Sequence, residues 1–244
     1  MQPLISVIVP CLNAESYIDD CLKSIINQRN CSYELIVVDG GSKDGTLQII
    51  NNYINHIKVL ISEPDSGQSD AINKGLKHCT GNLFSWLNAD DYYFKGALEA
   101  IATTYQSNQG TIISGSTRFF GGIHGLDGVY VSPKNINFED VLSIWTRDFI
   151  WAQPSTFFPL DNSVKLNKKL HLAMDYDLLL QMLIKYNCTL IKSNITNFRI
   201  HNQAKTNVLG FKNAIELPLI INSYKSQSKN FKNIEFLKFK SRCQ

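Results

Sequence analysis

The chain has no apolar run approaching the roughly 18 residues of a membrane-spanning helix. Its start, Met-Gln-Pro-Leu-Ile-Ser-Val-Ile-Val-Pro, puts no basic stretch ahead of the apolar residues. Neither a spanning helix nor a secretory leader is expected, and a cytoplasmic protein is. The six cysteines (Cys11, Cys21, Cys31, Cys79, Cys188, Cys243) include no Cys-x-x-Cys pair. That removes a zinc knuckle and a dithiol redox motif, and leaves reduced thiols. Both glycine-rich phosphate loops are missing as well. The first apolar run ends in Pro10-Cys-Leu-Asn-Ala-Glu, with neither Gly-x-Gly-x-x-Gly nor Gly-x-x-x-x-Gly-Lys-Ser/Thr. A dinucleotide-binding domain and a P-loop nucleotidase therefore lose their main support.

What is present is an ordinary globular composition. The chain has 244 residues, 44% hydrophobic and 18% charged, enough for one large α/β domain with an appendage. The net charge of +3 is uneven. From Ala204 onward Lys205, Lys212, Lys225, Lys229, Lys232, Lys238, Lys240 and Arg242 face only Glu216 and Glu235, so this tail carries +6 and the rest −3. Such a tail is either a solvated helix surface or a peripheral contact with an anionic membrane. The expected division is a domain over residues 1–203, in halves 1–108 and 109–203, with a basic appendage over 204–244.

Along the first hundred residues strands and helices alternate. Leu4–Val9 is a β-branched run, followed by Asn13 as a helix cap and a stripe at Ile18, Leu22, Ile25 and Ile26. Glu34–Val38 repeats the strand signal, and Leu47, Ile50, Ile54 and Ile57 repeat the stripe. Lys58–Ile61, a helix over Ser69–His78 and a strand over Leu83–Leu87 follow. This rhythm predicts a mostly parallel twisted sheet with helices on both faces. Past Asn108 it changes: Thr111–Ser116 and Val129–Val131 flank glycines 121, 122, 125 and 128 and predict an antiparallel flap. A helix over Met174–Tyr186 and a strand over Thr189–Phe198 come next, before a mixed tail.

Carboxylates stand where these strands end: Asp39, the Glu63–Asp65 segment, and the adjacent Asp90 and Asp91. In a parallel sheet those ends share one edge, where ligands bind. An aspartate there can accept from a base or ribose, and a pair can hold a divalent metal against a diphosphate. Singly, Asp39 before Gly40-Gly41 is also a turn residue, and Asp90-Asp91 also a polar turn capping the next helix.

Four segments in order resemble the nucleotide-sugar domain of family-2 glycosyltransferases with the GT-A fold. They are Ile-Ser-Val-Ile-Val-Pro-Cys-Leu-Asn-Ala-Glu, Glu-Leu-Ile-Val-Val-Asp-Gly-Gly-Ser-Lys-Asp-Gly-Thr, Asp-Ser-Gly-Gln-Ser-Asp-Ala-Ile-Asn-Lys-Gly and Leu-Asn-Ala-Asp-Asp. The resemblance implies a metal-dependent, inverting transferase. It would move a sugar from a nucleoside diphosphate donor, uridine diphosphate by preference, to a hydroxyl of a saccharide or lipid-linked glycan in surface polysaccharide synthesis. It further implies that Pro10 and Asp39 hold the base, that Asn13 belongs to the nucleotide-sugar site, and that Asp65, Asp70 and Lys74 line the nucleotide and ribose. Asn88-Ala89-Asp90-Asp91 matches the Asp-x-Asp metal motif with Asn88 in place of the first acid. Asn88 and Asp90 thus fall on the donor, and Asp90, Asp91 and His201 on Mn²⁺ or Mg²⁺, without deciding between the two aspartates.

Asp175 and Asp177 open the Met174 helix, where acids favour the helix dipole whatever the function. Two residues apart they point to different faces, and the resemblance assigns the catalytic base to Asp175. Arg199, His201 and Lys205 follow a strand and resemble a segment that brings basic groups to the diphosphate. Trp151 and Gln153 offer an acceptor platform, though a tryptophan packs equally well in a core. No nucleic-acid partner is expected. The rival readings are a nucleotidyltransferase, which lacks its basic glycine-rich loop here, and a non-catalytic sugar-nucleotide binder.

Overall fold

The computed structural model describes residues 2–121, 127–143, 151–202, 204 and 213–228. Lys205, Gly122, Gly125 and the basic residues beyond 228 lie outside them.

The expected alternation builds the first half. Strand β1 (Leu4–Cys11) lies between β2 (Ser32–Asp39) and β4 (Leu83–Trp86), with β3 (Val59–Ser62) outside β2, all parallel. Successive side chains of β1 serve opposite faces, as strand geometry requires. Val7 and Val9 pack with Leu22 and Ile25 of α1 (Ile18–Ile26) and with Leu98 and Ile101 of α4 (Ala97–Ser107). Ile8 packs on the other side with Ile72 of α3 (Gln68–Leu76) and with Leu178 and Leu179 of α6 (Met174–Lys185). Burial on both faces is why these strands are continuous apolar runs rather than alternating ones.

Two local expectations are corrected. The stripe from Leu47 to Ile57 is not one helix: α2 (Thr46–Asn51) stops and a 3-10 turn covers Ile54–His56. The consecutive Asn51 and Asn52 are poor helix-interior residues because their side chains compete for the backbone. Asn13 does not cap α1, which begins at Ile18 with no side-chain cap.

The second half is mixed. Strand β6 (Ile112–Phe120) pairs antiparallel with β7 (Tyr130–Val131), as the flap requires, and parallel with β9 (Cys188–Arg199). Two short strands that periodicity cannot detect join the halves: β8 (Thr156–Pro159) bridges β4 and β6, and β5 (Tyr92–Tyr93) pairs with β9. The order is β3-β2-β1-β4-β8-β6-β9-β5. Helices α5 (Phe138–Leu142) and α7 (Asn213–Tyr224) complete the described α-helices, and buried Ile220 and Ile221 of α7 join the core beside α6. No helix among the described residues is long and apolar enough to cross a membrane.

Glu34, near the amino ends of the strands, ties three segments together. It accepts from the Ser6 hydroxyl (2.6 Å), from the Thr80 N–H (2.6 Å) and hydroxyl (2.7 Å), and from Lys58. Burial pushes its carboxyl up, but Lys58, Ser6 and Thr80 outweigh that and hold it at about 2, against an ordinary 4.5. A depressed carboxylate stabilises the fold above the unfolded value, and that contribution is lost as pH falls through the folded one. Wild type is therefore expected to lose about 3 kcal/mol between pH 4.5 and 2 that Glu34→Gln does not lose. Urea unfolding of both proteins across that range measures the difference.

Candidate active site

Register places the strand ends on one edge: Cys11 lies beside Asp39, and Asp39 beside Ser62. Beyond that edge opens a cleft of about 830 Å³. It brings together Pro10, Asn13, Asp65, Asn88, Asp90, Trp151, Gln153, Asp175 and His201. Asp39, Asp70, Lys74 and Asp91 do not line it.

The wall formed by Pro10 to Ala14 is fixed by the neighbouring loop. Asn13 sits at φ +50°, a left-handed conformation asparagine tolerates. Its N–H donates to the Ser42 hydroxyl (2.8 Å), and its side-chain carbonyl accepts the Lys43 N–H (2.8 Å). Asp39 is the hub behind this loop. Its fully buried carboxylate accepts from the Gly41 and Ser42 N–H groups (3.2 Å each), from the Ser42 hydroxyl, and from the Ser62 hydroxyl (2.9 Å). Those bonds tie it to the turn. Asp65 does reach the cleft, packed against Gly40, where a Cβ would come within 2.5 Å of a carboxylate oxygen. No side chain fits at position 40 without displacing Asp65.

The two adjacent aspartates part company. Asp90 lines the cleft with its side chain 28% exposed, whereas Asp91 is 1% exposed. Asp91 points inward, where one oxygen accepts the Arg199 N–H at 2.9 Å. Burial, then the neighbouring Asp90 charge, pushes its carboxyl well above the usual range. Of the two, only Asp90 faces the cleft, and Asp91 ties the motif to β9. Arg199 reinforces that tie. It donates to the Asp90 carbonyl (3.0 Å) and to Asp20 (2.9 Å), and stacks over Phe120 (4.7 Å) and Tyr17 (5.1 Å).

The His201 Nε2 lies 2.9 Å from the Asp90 carboxylate. Its ring packs on Tyr17 at 4.7 Å, with the Tyr17 hydroxyl 3.4 Å from Nδ1. One carboxylate and one imidazole suit Mn²⁺ or Mg²⁺ with an incomplete protein shell. Among the described residues no cluster of three His, Cys, Asp or Glu is placed to hold a metal. A metal here therefore fits only if ligand oxygens and water complete its coordination. Asn88 takes a supporting part, its carbonyl accepting from the Gln68 side chain at 2.7 Å.

Asp175, which also lines the cleft, lies in the first turn of α6, its Oδ1 accepting the Tyr176 N–H at 2.7 Å. Asp177 points the other way, as the two-residue spacing predicts. It is not a solvated helix charge: it is 8% exposed and accepts from Gln181 (2.9 Å) and Tyr224 (3.1 Å). Burial raises its carboxyl. Trp151 donates to the Thr156 hydroxyl (2.8 Å) and Gln153 to the Trp86 carbonyl (3.0 Å), so both are held while lining the cleft.

Asp70 and Lys74 have partners within the protein. Lys168, then the Ser66 N–H and hydroxyl, hold the Asp70 carboxyl down at about 2, and Lys74 pairs with Glu63 at 2.8 Å. Asn73 exchanges two hydrogen bonds with the Leu166 backbone (2.9 and 2.8 Å), so α3 anchors the loop that leads to α6. Sequence reasoning missed Gln68 and Tyr17, which line the cleft, and Glu216 of α7, whose carboxylate accepts the His171, Leu172 and Ala173 N–H groups. Gln68 stands inside the third family-like segment and was legible there. Glu216 carried no local signal, because its partners are more than forty positions away.

A family model described as glycosyl transferase family 2 matches residues 6–169. A putative teichuronic acid biosynthesis glycosyltransferase, TuaG of Bacillus subtilis, is 39% identical over 101 residues, 40% of each chain. A PGL/p-HBAD biosynthesis glycosyltransferase of Mycobacterium tuberculosis is 34% identical over 136 residues, 51% of this chain and 53% of that one. The chain thus spans about half or less of these two relatives. Among solved structures, S. aureus TarS 1-349 in complex with UDP-GlcNAc has a TM-score of 0.75 at 18% identity, covering 96% of this chain and 69% of that one. The mannosyltransferase PcManGT of Pyrobaculum calidifontis, in complex with GDP-Man and Mn²⁺, has a TM-score of 0.66 at 16% identity, covering 95% and 66%. At these identities the structural likeness establishes the GT-A type of fold alone.

Proposed function

The chain belongs to glycosyl transferase family 2, and on that premise we propose that it transfers a sugar, with inversion, from a nucleoside diphosphate sugar to an acceptor hydroxyl. The observation that carries the reading is that one cleft is lined by the Asp90–His201 pair and by Asp175. The donor half, residues 1–108, contributes Pro10, Asn13, Asp65 and Asn88 along the nucleotide, and the half over 109–203 contributes Trp151, Gln153 and Asp175 along the acceptor. UDP is the preferred leaving group, in keeping with the UDP-GlcNAc complex of TarS. A glycan or lipid-linked acceptor in surface polysaccharide synthesis is in keeping with the names of the sequence relatives. The basic tail would rest on the cytoplasmic face of a membrane.

Asp90 and His201 would hold the metal, which, when bound, supplies positive charge that stabilises the departing diphosphate. No second protein acid is then needed at that oxygen. Asp175 accepts the proton of the acceptor hydroxyl while that oxygen attacks the anomeric carbon, on the face opposite the leaving group. Trp151 and Gln153, already fixed by their own hydrogen bonds, position the acceptor at little entropic cost.

A panel of UDP- and GDP-sugars assayed for donor hydrolysis with and without Mn²⁺ tests the reading. Metal-stimulated release of nucleoside diphosphate from at least one UDP-sugar is expected. Failure of every donor to bind or turn over would sink it.

A further inference from the structure

The segment that delivers Asp175 is held at both ends. Asn73 of α3 fixes Leu166 at one end. At the other, Glu216 accepts three consecutive N–H groups: His171 at 2.8 Å, and Leu172 and Ala173 at 2.9 Å each. These donors immediately precede α6, whose first turn carries Asp175. Glu216 is 7% exposed, so little water is at hand to replace it. His171, Leu172 and Ala173 line the cleft, as does Leu217, the neighbour of Glu216. Helix α7 touches α6 again where Tyr224 donates to Asp177 at 3.1 Å.

We propose that Glu216 is a positioning residue for sugar transfer: its carboxylate, carried on α7, locks the 171–173 backbone and so sets where Asp175 stands in the cleft. This rests on Asp175 being the base. A carboxylate meeting three backbone N–H groups at a helix start forms charge-assisted bonds and complements the helix dipole. Burial alone would push its carboxyl up, yet those three N–H groups bring it below the usual range. Remove it, and three donors in a tight turn lose their acceptor together. The turn must then shift to find water, and Asp175, two residues on, shifts with it. Glu216 lies outside the matched span of 6–169, as Asp175 does.

The test is steady-state kinetics of Glu216→Ala and Glu216→Gln beside Asp175→Asn, with melting temperatures and amide hydrogen exchange of residues 171–177. Glu216→Ala is expected to lower kcat by about 10²-fold, the scale of a misplacement near 1 Å. Its donor KM is expected to stay within about threefold, because the donor half is untouched. Glu216→Gln, which keeps a carbonyl acceptor, is expected to recover about tenfold of the loss. Amide exchange at 171–173 is expected to quicken in both variants. If Glu216→Ala is folded but turns over within about twofold of wild type below its melting temperature, the role is structural and the proposal fails. If that variant does not fold, Glu216→Gln decides: an unchanged kcat overturns the proposal. Persistence of transfer in Asp175→Asn would instead remove the base reading, whatever Glu216 does.

Discussion

Replacing Asp175 with asparagine is expected to lower sugar transfer by about 10²–10⁴-fold, the usual contribution of a general base, with donor affinity nearly unchanged. The change is isosteric, so the Tyr176 N–H keeps its acceptor at Oδ1 and the first turn of α6 is undisturbed. Proton acceptance is removed, together with the negative charge. Asp177→Asn is the matched control, because that carboxylate faces Tyr224 and Gln181 rather than the cleft. Burial has raised its carboxyl, so neutralising it is expected to alter stability and leave the transfer rate within a few fold. Kinetics with saturating donor, alongside donor binding by calorimetry, separate the two. Asp175→Asn with near wild-type turnover and intact donor binding would show that another group takes the proton.

The second large effect belongs to Asp90. Asp90→Asn is expected to lower turnover by about 10²–10³-fold, on the scale of losing a group that stabilises developing charge. It should also abolish the gain from Mn²⁺. Asp91→Asn should keep the Mn²⁺ dependence, because that carboxylate is 1% exposed and turned toward the Arg199 N–H. The adjacent aspartates thus give opposite patterns: one loses metal response, and the other loses attachment of β9. A Mn²⁺ titration of turnover in both variants distinguishes them. Loss of metal response in Asp91→Asn alone would reverse the assignment.

Much of the donor half was legible because both of its signals are local. Runs such as Ile-Ser-Val-Ile-Val-Pro are strands whichever fold they join, and in a parallel sheet their carboxyl ends must share an edge. What the residue types could not convey was direction. Asp39 and Asp91 carry the chemistry expected of ligands, and their oxygens also accept from Ser42, Ser62 and Arg199, which the sequence does not reveal. Asp70 and Lys74 likewise have partners, Lys168 and Glu63, that spacing along one chain does not reveal. The pairing of Asp90 with His201, 111 positions apart, was anticipated from family resemblance, not from the residues themselves. Strands β5 and β8, with 2 and 4 residues, are too short to show a period. They are stable only because β9, β4 and β6 flank them. Helix α7 lay within a tail whose charge suggested a solvated or membrane-facing surface, yet Glu216 and Leu217 bring it to the cleft wall.

The proposed function has Asp90 and His201 hold a metal whose charge would stabilise the diphosphate of a nucleotide. Calorimetric titration of UDP into the protein, with and without Mn²⁺ and repeated on Asp90→Asn, measures that most directly. The proposed site predicts that Mn²⁺ tightens UDP binding about tenfold or more in wild type, about 1.4 kcal/mol, and does not do so in the variant. Binding that ignores both Mn²⁺ and the loss of Asp90, or no binding of UDP or GDP under either condition, would contradict it.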